Sequence, residues 1–338
     1  MKTRLVILSF AFIVVAAVGT PDPTVVKLEI PLGWPSPNYD QSASPLTKEG
    51  IALGRRLFYD PILSQDSSVS CSNCHLSFTA FTHVDHALSH GIRDSIGTRN
   101  SPALMNLAWS RKFMWDGAVN HLDVQALAPI THPAEMGETI PNVLAKLQES
   151  FNYPKMFGAA FGDTIITGQN LLKALAQFQL TLISANSKYD KMKRGELEFS
   201  EQEAKGYVLF QSNCAACHKE PLFTNGEFAN TGLQVDTTLN DLGRMSITGN
   251  ATDSLLFKVP TLRNIEFSFP YMHDGRFKTL REVLNHYDSG IVPSKTLAIE
   301  LVGGTPLTSN DKVDLTAFLL TLTDKEFLFN PEFSFPRK

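Results

Sequence analysis

The chain has 338 residues, 43% of them hydrophobic and 19% charged, with 34 acidic against 30 basic side chains and a formal net charge of −4. This composition is ordinary for a globular protein and excludes a disordered chain, a collagen-like repeat and a coiled coil; a near-neutral chain also lacks the clustered Lys and Arg that nucleic-acid phosphates require. The length suggests about two domains, and a chain this long buries a core without covalent staples, so its four cysteines need another explanation.

Residues 1–20 pass from a basic start (Lys2, Arg4) through an apolar stretch, Leu5 to Val18, to small residues. This is the order of a secretory signal peptide. The run is short for a ~30 Å hydrocarbon core, and no later stretch is long and apolar enough to span one. The mature chain is therefore expected to be exported to the periplasm and soluble, with a net charge of −6 once Lys2 and Arg4 are removed.

Residues 21–45 are proline-rich and read as an extended arm, and 46–59 as a helix. A polar loop, Ser64 to Ser70, leads to Cys71. Residues 76–134 are rich in His, Asn and Pro and predict loops, where sites often sit. Leu171, Leu175, Phe178 and Leu182 recur at helical spacing over 168–184. The polar stretch 186–199 marks the domain boundary, and 230–255 reads as a solvated loop. Ser200 with Glu203, Thr279 with Glu282 and Thr308 with Asp311 are capping patterns that open three further helices. The last presents Leu315, Phe318, Leu319 and Leu322 on one face. No alternating strand pattern is sustained, so the chain is mainly α, with loop-rich connections. The division expected is a leader at 1–20, an N-terminal domain at 21–195 and a C-terminal domain at 196–338. A weak repeat supports two like units: Gly54-Arg-Arg-Leu-Phe58 precedes the first cysteine pair and Gly206-Tyr-Val-Leu-Phe210 the second.

All four cysteines fall in two copies of C-x-x-C-H, Cys71-Ser-Asn-Cys74-His75 and Cys214-Ala-Ala-Cys217-His218. This is the attachment signature of c-type haem. The two thiols bond the haem vinyl groups, and the adjacent His reaches the iron. A redox C-x-x-C pair needs no His after it, least of all twice. Structural zinc would require the two pairs to meet across 143 residues of sequence, and disulfides across two-residue gaps are strained. Two covalent haems make a redox protein. A carrier closes both faces of each iron, whereas a peroxide-using enzyme leaves one face open beside acid/base groups.

The two motifs occur with Leu53-Gly-Arg-Arg-Leu-Phe-Tyr-Asp60, Gly97-Thr-Arg-Asn-Ser-Pro102, Trp115-Asp-Gly117, Val259-Pro-Thr-Leu-Arg-Asn264 and Pro270-Tyr-Met-His-Asp-Gly275. With these stretches, over about residues 46–325, the sequence resembles the bacterial di-haem cytochrome c peroxidase/MauG family. The resemblance implies two cytochrome c-like haem domains with a Ca²⁺ ion between them. The N-terminal haem is the peroxide-binding one, and the C-terminal haem stores or relays electrons. His75 and His218 become the proximal iron ligands and Glu135 the distal acid/base carboxylate. Gln125 becomes a distal amide and Trp115 the tryptophan between the haems. Asn100 and the carbonyls of Ser268 and Pro270 become the calcium ligands. The substrate implied is hydrogen peroxide, and the electron donor a small cytochrome c or cupredoxin. A non-catalytic di-haem electron carrier is the reading from outside the enzyme class. Family members commonly form head-to-head homodimers.

Two positions depart from the ordinary peroxidase pattern. Where those enzymes place a Met ligand to the second haem iron, this chain has Tyr287. It is expected on the same helical stripe as Leu280, Val283 and Leu284, with His286 off that face. The readings there are an axial tyrosine, a core tyrosine, or ligation by Met272 instead. An axial tyrosine is the arrangement of MauG-type members, which oxidise side chains of a partner protein. Peroxidases of the family can also hold the first haem closed with a loop His at rest and open it on reduction; among His83, His86 and His90, the nearest match is His90.

Overall fold

The computed structural model describes residues 22–42 and 44–336, so the expected leader lies outside the described residues. The N-terminal arm pairs Val25–Val26 (β1) antiparallel with Leu46–Thr47 (β2) and docks by the Asn38 and Tyr39 amides, which donate to the Ala108 carbonyl. Helix α1 (Lys48–Tyr59) follows, capped by Thr47 on the Gly50 amide, and then the single turn α2 (Cys71–Cys74). Loops and isolated 3-10 turns fill residues 76–126, as their composition implies. Helices α3 (Leu127–Thr131), α4 (Ile140–Glu149), α5 (Tyr153–Phe161) and α6 (Gly168–Leu180) complete the first half. The second half runs through α7 (Lys188–Lys193), α8 (Glu201–Asn213), β3 (Phe228–Ala229), α9 (Met245–Thr248) and β4 (Phe257–Lys258). It ends in α10 (Leu280–Asn285), α11 (Ser309–Leu320) and α12 (Lys325–Leu328). β3 and β4 are antiparallel, with Phe228 opposite Lys258. The reading of the sequence does not single out α4, α5 or α7, which are ten residues or fewer.

Each half is built on one pair of crossed helices. In the first, α1 lays Leu53, Leu57 and Phe58 against α6. The helices touch at Gly54, where a Cβ would lie 1.9 Å from the Ala174 carbonyl oxygen. In the second, α8 crosses α11 at Gly206, where a Cβ would lie 1.9 Å from the Asp314 oxygen. Phe210, Leu315, Phe318, Leu319 and Leu322 form the core of that half, on the face read from the sequence.

The repeat extends well beyond the glycine motif. Pro102, Asn106, Met114, Asp116 and Gly117 recur 158 residues later as Pro260, Asn264, Met272, Asp274 and Gly275. Their backbones repeat too: Asn106 and Asn264 have φ 56° and 54°, Met114 and Met272 68° and 73°, Gly117 and Gly275 71° and 66°. Asn106 donates its amide to Leu182, and Asn264 to Leu322.

The two halves interlock. Tyr189 of α7, on the N-terminal side of the expected 195/196 boundary, packs into the second core. The adjacent Asp190 accepts two 2.8 Å hydrogen bonds from Arg263, which is fully buried. After α11 the tail returns to the first core through Phe327 and Leu328, and Tyr59 donates to the Phe333 carbonyl at 2.6 Å. The 230–255 segment is not merely a solvated loop, since Asp241 and Arg244 on it both bond to the first half.

Candidate two-haem site

Ser70 starts the α2 turn by donating its amide to the Asn73 side chain at 2.9 Å, which sets Cys71, Cys74 and His75 on one short helical turn. Two consecutive left-handed residues, Ala80 and Phe81, then bring the Phe81 carbonyl back onto His75 Nδ1 at 2.6 Å. With Nδ1 donating to that carbonyl, Nε2 is the nitrogen left with a lone pair. The second motif is built in the same way: left-handed Phe223 places its carbonyl 3.1 Å from His218 Nδ1. Burial pushes the His75 imidazole down to about 4 and lowers that of His218, so both rings are neutral and able to ligate. The four cysteines form no disulfide, and burial raises all four thiols, Cys71 and Cys214 to about 12.

Cys74, His75, Cys214, Cys217 and His218 line one continuous cavity of about 630 Å³ that passes between the two halves. Much of the wall is apolar, including Leu104, Met105, Leu262, Leu284 and Leu319. A flat apolar macrocycle held by two thiols and one neutral imidazole fits each end of such a space, so the residues present fit the cofactor that the motifs demand.

Gln125 and Glu135 line the same cavity, with Pro129 and His132. Gln125 directs its amide nitrogen to the Met114 sulfur at 3.7 Å, and among the described residues no group donates to its oxygen. Glu135 lies in the turn after α3, which packs so closely on Gly91 that a Cβ there would meet the Glu135 backbone at 2.4 Å. Burial raises the Glu135 carboxyl above the ordinary range, and His132, 3.8 Å away, partly offsets this. The result is a carboxyl near the first cysteine pair with its proton affinity increased, which suits general acid/base work.

Trp115 bridges the halves through both ends of its residue. Its indole donates to the Asn100 carbonyl at 2.8 Å, and its own carbonyl accepts from the Lys258 amide at 2.7 Å. Asn100 is buried and donates its side-chain nitrogen to Ala87, which leaves Oδ1 as an acceptor. Asn100, Ser268 and Pro270 all line the cavity. Arg99 fastens this junction, with 2.6 Å to Asp116 and 2.6 and 2.8 Å to Asp241.

At the second motif, α10 does not continue as an α-helix to Tyr287. It passes into a π turn over His286–Gly290, and Tyr287 still faces the cavity. Burial and then the Cys214 and Cys217 thiols raise its phenol well above the usual range. His286 turns away and bonds the Thr231 carbonyl at 2.9 Å. The step of 158 residues carries Tyr287 onto Pro129, a side chain with no donor atom, so the two ends of the cavity differ at this position. Met272 also lines the cavity. His90 does not: its ring lies tilted against His86 at 4.2 Å and pairs with Asp94 at 2.8 Å. His83 stacks on His86 at 5.2 Å. Sequence reading missed Pro129, His132, Lys258 and the Arg99–Asp241 clamp; the 158-residue repeat is the signal that would have found the first and third.

Two like helical halves, each with one attachment motif and both opening on a common cavity, define a two-haem c-type protein. A family model for di-haem cytochrome c peroxidases matches residues 48–198. The methylamine utilization protein MauG of Methylorubrum extorquens is 36% identical over 292 residues, 83% of this chain and 80% of that one. The cytochrome c551 peroxidase of Nitrosomonas europaea is 33% identical over 308 residues, 88% of this chain and 85% of that one. Among solved structures, a MauG-like protein associated with microbial copper homeostasis superposes with a TM-score of 0.84 at 32% identity, covering 92% of this chain and 99% of that one. The chain belongs to the di-haem cytochrome c peroxidase/MauG family, as its motifs implied.

Proposed function

We propose that this chain is a periplasmic di-haem peroxidase that reduces hydrogen peroxide to water with two electrons from a small donor protein, a cytochrome c or a cupredoxin. The observation that carries the reading is the convergence of Glu135 and Gln125 on the cavity beside the first motif, where the repeat supplies Pro129 in place of a ligating side chain. His75 with Cys71 and Cys74, and His218 with Cys214 and Cys217, hold the two haems. When bound, the haems supply the iron at which peroxide is reduced and oxidising equivalents are stored. Glu135 takes the proton from the incoming peroxide and returns it to the departing oxygen as water leaves. The Gln125 amide orients the peroxide by hydrogen bonding. Trp115, whose indole donates to Asn100 and whose carbonyl accepts from Lys258 of the other half, is the aromatic bridge between them. Asn100 Oδ1 with the Ser268 and Pro270 carbonyls offers an all-oxygen set that suits Ca²⁺. Two further points support a periplasmic location: the leader-like residues 1–20, and the assembly of c-type haem outside the cytoplasm. Among the described residues no helix is long and apolar enough to cross a membrane.

A second reading, oxidation of side chains on a partner protein, is favoured by Tyr287, whose buried phenol lines the cavity together with Cys214, Cys217 and His218 and would be available to ligate the second haem. Both readings require the same acid/base group. Glu135→Gln is expected to lower peroxide turnover about 10²–10⁴-fold, the usual contribution of a general acid/base, with both haems retained by pyridine haemochrome assay. Turnover that survives the substitution would remove Glu135 from the mechanism.

A further inference from the structure

Lys258 has no place in the chemistry above, yet its side chain lines the cavity. Among the described residues its ammonium makes no hydrogen bond and no ion pair, and burial alone lowers its pKa to about 8. Arg99, another cation on this wall, is fully engaged by Asp116 and Asp241. An ammonium taken out of water without a partner is costly, and such a site is stable only when an anion joins it.

The repeat shows where that anion belongs. Asn100 and Lys258 are 158 residues apart, as are Trp115 and His273. The hydrogen bonds repeat with them: the Asn100 amide donates to the His273 carbonyl and the Lys258 amide to the Trp115 carbonyl, each at 2.7 Å. Ser268 and Pro270, the carbonyl partners assigned to Asn100, map by the same step onto Ser110 and Lys112, which also line the cavity. Thus the junction has two equivalent corners. One presents an amide oxygen and carbonyls to a cation, and the other carries two lysines, Lys258 and Lys112, of which Lys258 holds the position of Asn100. The anions that the cavity must accommodate are the haem propionates, two on each macrocycle.

We propose that Lys258 is the counter-cation of a haem propionate at the junction of the two halves, its ammonium serving in the second repeat as a Ca²⁺ ion on Asn100 would serve in the first. The proposal rests on the two-haem reading. Lys258 thereby raises the reduction potential of the haem it contacts, because a nearby positive charge disfavours the ferric state.

The test is spectroelectrochemical titration of the exported two-haem protein, comparing wild type with Lys258→Met and Lys258→Arg. Lys258→Met is expected to retain two haems and to shift the one-electron reduction equilibrium of one haem at least tenfold toward the ferric form, about 59 mV. The other haem moves less, and Lys258→Arg restores most of the loss. If Lys258→Met folds with two haems and neither potential falls, the proposal is overturned. A wild-type protein that carries fewer than two haems would instead overturn the reading beneath it. Should Lys258→Met fail to fold, resonance Raman spectra of wild type and Lys258→Arg decide. A changed propionate-bending band of one haem supports the contact, and identical bands refute it.

Discussion

Glu135 is an acid whose usefulness depends on the turn that holds it. Packed on Gly91 and drawn into the cavity wall, its carboxyl keeps its proton to a higher pH than a solvated glutamate would. Only the carboxylate can take a proton from peroxide, so the sign is fixed: activity falls as pH is lowered through this raised pKa. The acid limb of kcat/KM is therefore expected above the ordinary carboxylate range, and Glu135→Gln removes it together with the rate. An acid limb at the same pH in Glu135→Gln would assign that titration to another group. At this scale the sequence was informative where chemistry leaves few options. The spacing of Cys71, Cys74 and His75 announces itself, because two thioethers and an imidazole must reach one macrocycle. Glu135 was legible only through the family resemblance, since a carboxylate in a loop is usually solvated. Lys258 was legible only through the 158-residue step from Asn100, because nothing in a single lysine shows that it faces a cavity without a partner.

Elements explain why a few residues act at a distance from their helical pattern. The stripe Leu280, Val283, Leu284, Tyr287 predicted a continuous α-helix, and the capping box of Thr279 with Glu282 does open one. The chain widens into a π turn at His286, where the imidazole is drawn to the Thr231 carbonyl, and the phenol of Tyr287 remains on the cavity. Periodicity found the face and missed the turn, because it reports which side is apolar and not how the last hydrogen bonds are arranged. Buried and beside two thiols, the phenol holds its proton strongly, and only a cation at its oxygen would release it. Tyr287→Phe is accordingly expected to abolish a phenolate-type absorption band and alter the EPR signal of one ferric haem, while haem content stays at two. Spectra that match wild type would make Tyr287 a core residue and shift weight to Met272 and the ordinary peroxidase. Helix crossings were easier to read than this turn. Gly54 and Gly206 precede their cysteine pairs in like sequence, and each proves to be the point where two helices touch backbone to side chain or backbone.

On the scale of the whole molecule, the halves are joined around Trp115, and what holds that junction is electrostatic. The Arg99 guanidinium spans Asp116 of its own half and Asp241 of the other, and Asn100 follows it directly in sequence. The sequence could indicate two repeats but not this closure, since residues 99 and 241 are 142 apart and their pairing exists only once both cores have formed. A calcium ion on Asn100 Oδ1 would stabilise the junction by linkage, because it binds the closed arrangement and not the unfolded chain. Removing it with EGTA is therefore expected to lower the thermal midpoint of the wild type. Asn100→Ala should show a similarly lowered midpoint without chelator. Chelation should then cost the variant almost nothing, because both treatments remove one interaction and their effects cannot add. Additive losses in the two treatments would place any calcium elsewhere, and an unchanged wild-type midpoint in EGTA would leave Asn100 as a purely structural link between Ala87, Trp115 and His273.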